Sequence, residues 1–220
     1  MRTVGVDGCR GGWVVASLDH VEVRDHLDGV VADATVAVIG VDMPIGLPLT
    51  WGREADREAR RLLGWPRASS VFSTPPRSLL TATSYATANR RSRSELGQGL
   101  TRQTYHLFDR IREVDHLVTA PGRAGAGDRL VEIHPECSFR LMAGEPLPSK
   151  HTADGVERRR ALLLPRFGPV IDERPTGAGG DDVLDAFAVL WSAERFARGE
   201  HLTLGDGSVD ERGLPMRIVT

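Results

Sequence analysis

One segment limits the fold more than any other. Val36-Ala-Val-Ile-Gly-Val41 is apolar or glycine at every position and runs straight into Asp42. A strand with no polar face needs cover on both sides. It therefore belongs at the centre of a sheet that carries helices on its faces. Arg2-Thr-Val-Gly-Val-Asp7 has a similar form and is expected beside it, in parallel. Between the two the chain reads as a meander. A glycine turn at 8–12 leads to a strand at 13–18, a tight turn at 19–20 and a strand at 21–24. Residues 28–35 leave room for one or two helical turns.

After Asp42, Met43-Pro-Ile-Gly-Leu-Pro48 breaks regular structure. Helices are expected at 53–63, 79–89 and 100–118, the last carrying the stripe Leu107, Ile111 and Val114. A long proline- and serine-rich loop spans 64–78, and glycine-rich turns fall at 121–127 and 176–180. A strand at 130–134, helices at 138–142, 154–164 and 181–198, and an edge strand within 212–219 complete the pattern. The order predicts a single α/β domain over 1–220, with 49–127 as a helical insertion on one crossover.

Charge narrows the function. Lys and Arg total 28 against 30 Asp and Glu, a net charge of −2. No global basic field draws such a chain onto nucleic acid, so a phosphate partner needs a local patch or a metal. Lys150 is the only lysine. The two cysteines, Cys9 and Cys137, match neither a zinc motif nor a secreted disulfide framework. No run is long and apolar enough to span a membrane, and the N-terminus lacks the apolar core of a signal peptide. A cytoplasmic protein without a membrane partner is expected; oligomeric state is left open.

The acidic residues carry the chemistry. Asp7 and Asp42 end their strands, where ligands gather in open α/β sheets. Gly5, two residues before Asp7, leaves room beside it for a ligand or another backbone. Asp181, Asp182 and Asp185 open the last helix; Asp182 and Asp185 share a face at i,i+3 spacing, and Asp181 is expected to be the cap. Glu132 and His134 alternate on the strand at 130–134 and share a face. Carboxylates that converge repel one another unless a cation lies between them, which makes Mg²⁺ or Mn²⁺ the economical explanation. Each residue also has a plainer reading, as a turn aspartate, a helix cap or a satisfied buried histidine. Arg67, Ser70 and Arg77, around the loop 64–78, and Lys150 are candidates to bind a phosphate. Alternatively they form an ordinary solvated surface.

Six motifs then resemble the domain-of-unknown-function family numbered 429. They are Val4–Trp13, Asp42–Pro48, Ser69–Phe72, Glu113–Asp115, Glu132–Glu136 and Asp181–Ala186. That family is described as predicted nucleases of the ribonuclease H-like fold. The resemblance runs from about residue 3 to 199. It implies a mixed five-stranded sheet flanked by helices. The stretch Asp182-Val-Leu-Asp-Ala186 also looks like the last helix of Holliday-junction resolvases. By that likeness Asp7, Asp42 and Asp185 would be metal ligands, with Asp182 assisting and Glu132 as a further catalytic candidate. The expected activity is two-metal phosphodiester hydrolysis. Resolvases carry basic surfaces and this chain does not, which points away from a long duplex. The substrate is left between nucleic acid and a small phosphate ester under a lid formed by 49–127. Two other classes remain: a phosphotransferase of the actin-like fold, whose phosphate hairpin Asp7 and its glycine turn resemble, and a non-catalytic binding module.

Overall fold

A computed structural model describes residues 2–120 and 129–220. The expected glycine turn at 121–127 lies outside the described residues, as does the end of the segment 49–127. Strands β1 (Arg2–Cys9), β2 (Gly12–Ser17), β3 (His20–Arg24), β4 (Val36–Val41) and β5 (Leu130–Glu132) form one sheet in the order β3-β2-β1-β4-β5. β1 runs antiparallel to β2 and parallel to β4, and β4 runs parallel to β5. This mixed sheet, with eight α-helices among the described residues, is the ribonuclease H-like arrangement.

Alternation along the strands divides the core in two. Val4, Val6, Ile39 and Val41 face one layer. That layer is built on Phe108, Ile111, Val114 and Leu117 of a helix at Phe108–Thr119. Val14, Ala16 and Val21 face the opposite layer, with Val183, Leu184 and Phe187 of the long helix Gly180–Ala197. The unbroken apolar run 36–41 is thus explained by cover on both sides.

Numbered in chain order, the helices are α1 (Asp28–Ala32), α2 (Glu54–Leu63), α3 (Tyr85–Leu96), α4 (Arg102–His106), α5 (Phe108–Thr119), α6 (Pro135–Ala143), α7 (Ala153–Phe167) and α8 (Gly180–Ala197). The helix expected at 79–89 begins later, where the Ser84 hydroxyl accepts the Thr87 N–H as an N-cap. The helix expected at 100–118 is two, meeting at Leu107. The segment after residue 49 is no detached lid: its α5 supplies one wall of the main core. The tail pairs Ile218–Val219 (β7) with Thr203–Leu204 (β6) in a separate two-stranded sheet, and Val219 also bridges Ile133.

Candidate functional site

The register of β1 on β4 builds the site floor. Gly5 pairs with Gly40 and Val6 with Val41, and the Asp42 N–H donates to Val6 O at 2.9 Å. The next residues, Asp7 and Asp42, therefore stand side by side where the parallel pairing of β1 and β4 ends. β1 itself runs on to Cys9 against β2, so Asp7 does not close its strand as expected and the turn begins after Cys9. The paired glycines bring α8 down onto the same face. A Cβ on Gly5 would lie 2.2 Å from Ala186 O and 2.3 Å from Leu190 N; one on Gly40 would lie 2.9 Å from Val189 Cγ1. The space beside Asp7 is thus filled by helix backbone. That close approach carries Asp185, one residue before Ala186, against Asp7 and Asp42.

The three acids interact strongly. Burial, then repulsion from Asp42 and Asp185, pushes the Asp7 carboxyl well above its usual range. Burial raises Asp42 to about 7 against the pull of Lys150 and a hydrogen bond with Asp7. Burial raises Asp185 to about 6, again against Lys150. Lys150 Nζ donates to Asp185 Oδ2 at 2.6 Å and lies 3.8 Å from Asp181 Oδ2. Burial lowers the ammonium, but Asp185 more than offsets this and holds it above its usual range. Asp185 Oδ1 is buried with no hydrogen-bond partner among the described residues.

The Lys150 loop is itself pinned. Arg159 on α7 donates to Pro148 O at 2.9 Å and forks onto both oxygens of Glu136 at 2.8 Å. A Cβ on Gly155 would meet Ser149 O at 2.0 Å, so α7 starts tight against this loop. Above the acids lies a cleft of about 370 Å³. Asp42, Asp185, Lys150 and His134 line it, together with Arg67 and Ser70 of the 64–78 loop. The Arg67 guanidinium has no hydrogen bond or ion pair among the described residues.

Three other candidates, Glu132, Arg77 and Asp182, are held by other partners. Glu132 pairs with Val41, not with Gly40 or Asp42, so the pleat turns it to the opposite sheet face. There Arg53 grips both its oxygens at 2.5 and 2.7 Å, and the Ile45 N–H donates to it at 2.7 Å. Arg77 is buried and bonded to Asp115 and Asp210 at 2.7 and 2.6 Å, which ties the insertion to the C-terminal segment. Asp182, not Asp181, closes the helix start: its Oδ2 accepts the Gly179 N–H at 2.8 Å. Asp181 instead faces Lys150. Ser70 Oγ donates to Arg67 O at 2.9 Å and stays exposed at the cleft. Among the described residues His134 Nδ1 is buried without a hydrogen-bond partner, and burial lowers the His134 pKa. Glu136, absent from the sequence-based candidates, is placed by Pro135 at the first turn of α6.

Three hard carboxylates, one with an orphaned buried oxygen, are the donor set that Mg²⁺ or Mn²⁺ prefers. Among the described residues no three His, Cys, Asp or Glu side chains stand ready to hold an ion as placed. As placed, Asp42 shares a hydrogen bond with Asp7, and Asp185 is paired with the Lys150 ammonium. In donor type the acids suit such an ion; as placed they do not form its coordination site. No helix among the described residues is long and apolar enough to cross a membrane.

A family model described as "Protein of unknown function (DUF429)" matches residues 5–209. No curated protein and no solved structure matches the chain.

Proposed function

Since the chain belongs to this family, whose function is unknown, we propose its activity from the site itself: metal-dependent hydrolysis of phosphodiester bonds. The observation that carries this reading is the convergence of Asp7, Asp42 and Asp185, with Asp185 Oδ1 buried and unpartnered. Two carboxylates ~4 Å apart repel by about 4 kcal/mol at an effective dielectric of ~20. Three acids held together with one ammonium among them leave negative charge that a divalent cation would balance. Asp7, Asp42 and Asp185 would hold Mg²⁺ or Mn²⁺, which when bound supplies Lewis acidity toward phosphoryl oxygens.

The remaining residues bind and orient. Arg67 brings an uncommitted guanidinium fork to the cleft, suited to two phosphate oxygens. Lys150, held by the Arg159–Glu136 clamp, carries its ammonium into the same space. Once the acids are neutralised, Lys150 Nζ is free to donate to the substrate phosphate. Ser70 adds a hydroxyl at the rim. The cleft encloses a short stretch of a phosphodiester.

Hydrolysis of a short oligonucleotide and of bis(p-nitrophenyl) phosphate with Mn²⁺ tests the reading. Asp7→Asn and Asp185→Asn should each reduce the rate by about two orders of magnitude. Wild-type rates in both variants would remove these residues from the site.

A further inference from the structure

A second feature lies outside the acidic cleft. Arg90 and Arg93 on α3 and Arg102 at the start of α4 line an open groove of about 690 Å³ with Tyr85 and Asn89. All three arginines are exposed, and no acidic residue lines the groove. Elsewhere arginines such as Arg53, Arg77, Arg159, Arg160 and Arg166 are paired with carboxylates. Among the described residues Arg90, Arg93 and Arg102 have no such partner. In a chain of net charge −2, three unmatched guanidinium groups in one groove form a local anion site.

The groove wall is set rather than loose. The Arg102 guanidinium carbon lies 4.5 Å over the Tyr85 ring, which orients its plane and leaves its N–H edge available. Tyr85 is anchored by its hydroxyl, which donates to Leu100 O at 3.0 Å, and by edge-on contact with Tyr105. Asn89 Oδ1 accepts the Leu100 N–H at 3.0 Å. Its amide NH₂ has no protein acceptor among the described residues.

Position selects the anion. Gln103, the residue after Arg102, lines the acidic cleft. The first turn of α4 therefore carries the groove on one side and the cleft on the other. A ligand reaching both must present anionic charge along a flexible chain. We propose that this groove binds the sugar–phosphate backbone of single-stranded nucleic acid, whose strand passes over α4 into the acidic cleft. The choice of nucleic acid rests on the phosphodiesterase reading; the anion site itself does not. A single strand can bend over α4, and an arginine groove with an aromatic wall suits it.

The test is fluorescence anisotropy with a 5′-labelled 12-nucleotide oligothymidylate in EDTA, so that hydrolysis plays no part. The triple variant Arg90→Ala/Arg93→Ala/Arg102→Ala should weaken binding by about tenfold or more. Its slope of log affinity against log salt should be shallower by about 2. The triple Arg→Lys variant should keep most of the wild-type slope. If the alanine variant melts early, Arg93→Glu alone should still weaken binding. Equal affinity and slope in wild type and alanine variant would overturn the proposal. So would tighter binding to a phosphopeptide or to phosphatidylserine vesicles than to the oligonucleotide. Oligonucleotide binding lost with the arginines, in a protein that hydrolyses no diester, would uphold the groove and reject the hydrolytic reading. Diester hydrolysis without wild-type oligonucleotide binding would do the reverse.

Discussion

Two groups of buried acids flank β4, and they are satisfied in opposite ways. Behind the strand, Asp56 and Glu132 share Arg53, whose guanidinium donates to both carboxylates and to Ile45 O and Gly46 O. Thr74 N–H and Ile45 N–H supply further donors. In front of the strand, Asp7, Asp42 and Asp185 share one ammonium, and Asp185 Oδ1 has no hydrogen-bond partner among the described residues. Both groups hold more acid than base. The difference lies in donors: a rigid fork plus backbone amides answers the first group, while a single Lys150 leaves the second group short. Burial and position beside β4 do not separate the two groups. Hydrogen-bond satisfaction does.

The largest effect should come from breaking the satisfied group. Arg53→Ala leaves two acids buried without their base and should cost about 3–5 kcal/mol in urea unfolding. Asp42→Asn removes repulsion and should leave the stability of the metal-free protein unchanged or raised. Equal losses in both variants would erase the distinction.

Gly5→Ala tests how the second group is assembled. Its Cβ would collide with Ala186 O and Leu190 N, so α8 must lift away, at a cost of about 3 kcal/mol. Diester hydrolysis should fall as Asp185 withdraws from Asp7. A folded, fully active Gly5→Ala protein would show that the helix contact does not set the site.

pH sharpens the comparison further. In the unfolded chain these aspartates titrate near ~4; folding raises Asp185 to about 6 and Asp42 to about 7. The folded state then binds more protons than the unfolded one. Its extra stability is complete below ~4 and is lost as pH rises through 6 and 7. The melting temperature of the metal-free protein should therefore fall by on the order of 5 °C across that range. Asp42→Asn should flatten the fall, and Mn²⁺ at the upper pH should reverse part of it. A metal-free melting temperature that rises across this window would contradict a strained acidic cluster.

The smallest effect is reserved for Asp182. As a helix-start acceptor it should cost about 1 kcal/mol or less when replaced by Ala, with hydrolysis retained. A large loss of rate in Asp182→Ala would return it to the site.

Much of the fold was legible in periodicity. The unbroken apolar run of β4 up to Asp42 and the meander before it follow from local residue patterns; the continuation of β1 past Asp7 to Cys9 does not, because it depends on pairing with β2. Gly5 also announced a close approach, although not whether ligand or helix would fill it. The failures have physical causes. Glu132 and His134 shared a predicted face, but only pairing with β4 says which side of the sheet Glu132 meets. Asp181 and Asp182 are equivalent in any spacing rule; the Gly179 amide separates them. Arg77 and Arg67 flank one loop, yet one meets Asp115 and Asp210 while the other remains open to the cleft. Ser84, a capping residue before a helical stretch, was the available signal for the start of α3.

By itself the amino-acid sequence determined the strand that carries Asp7, the strand end at Asp42, the glycines that permit close packing, and the helix that carries Asp185, because these depend on neighbours a few residues away. Tertiary structure alone decided which acids meet, which are matched by arginine, and that Lys150 stands among them. Those outcomes depend on strand register and on partners more than 30 residues apart in the chain, as with Lys150 and Asp185, and no local pattern encodes them.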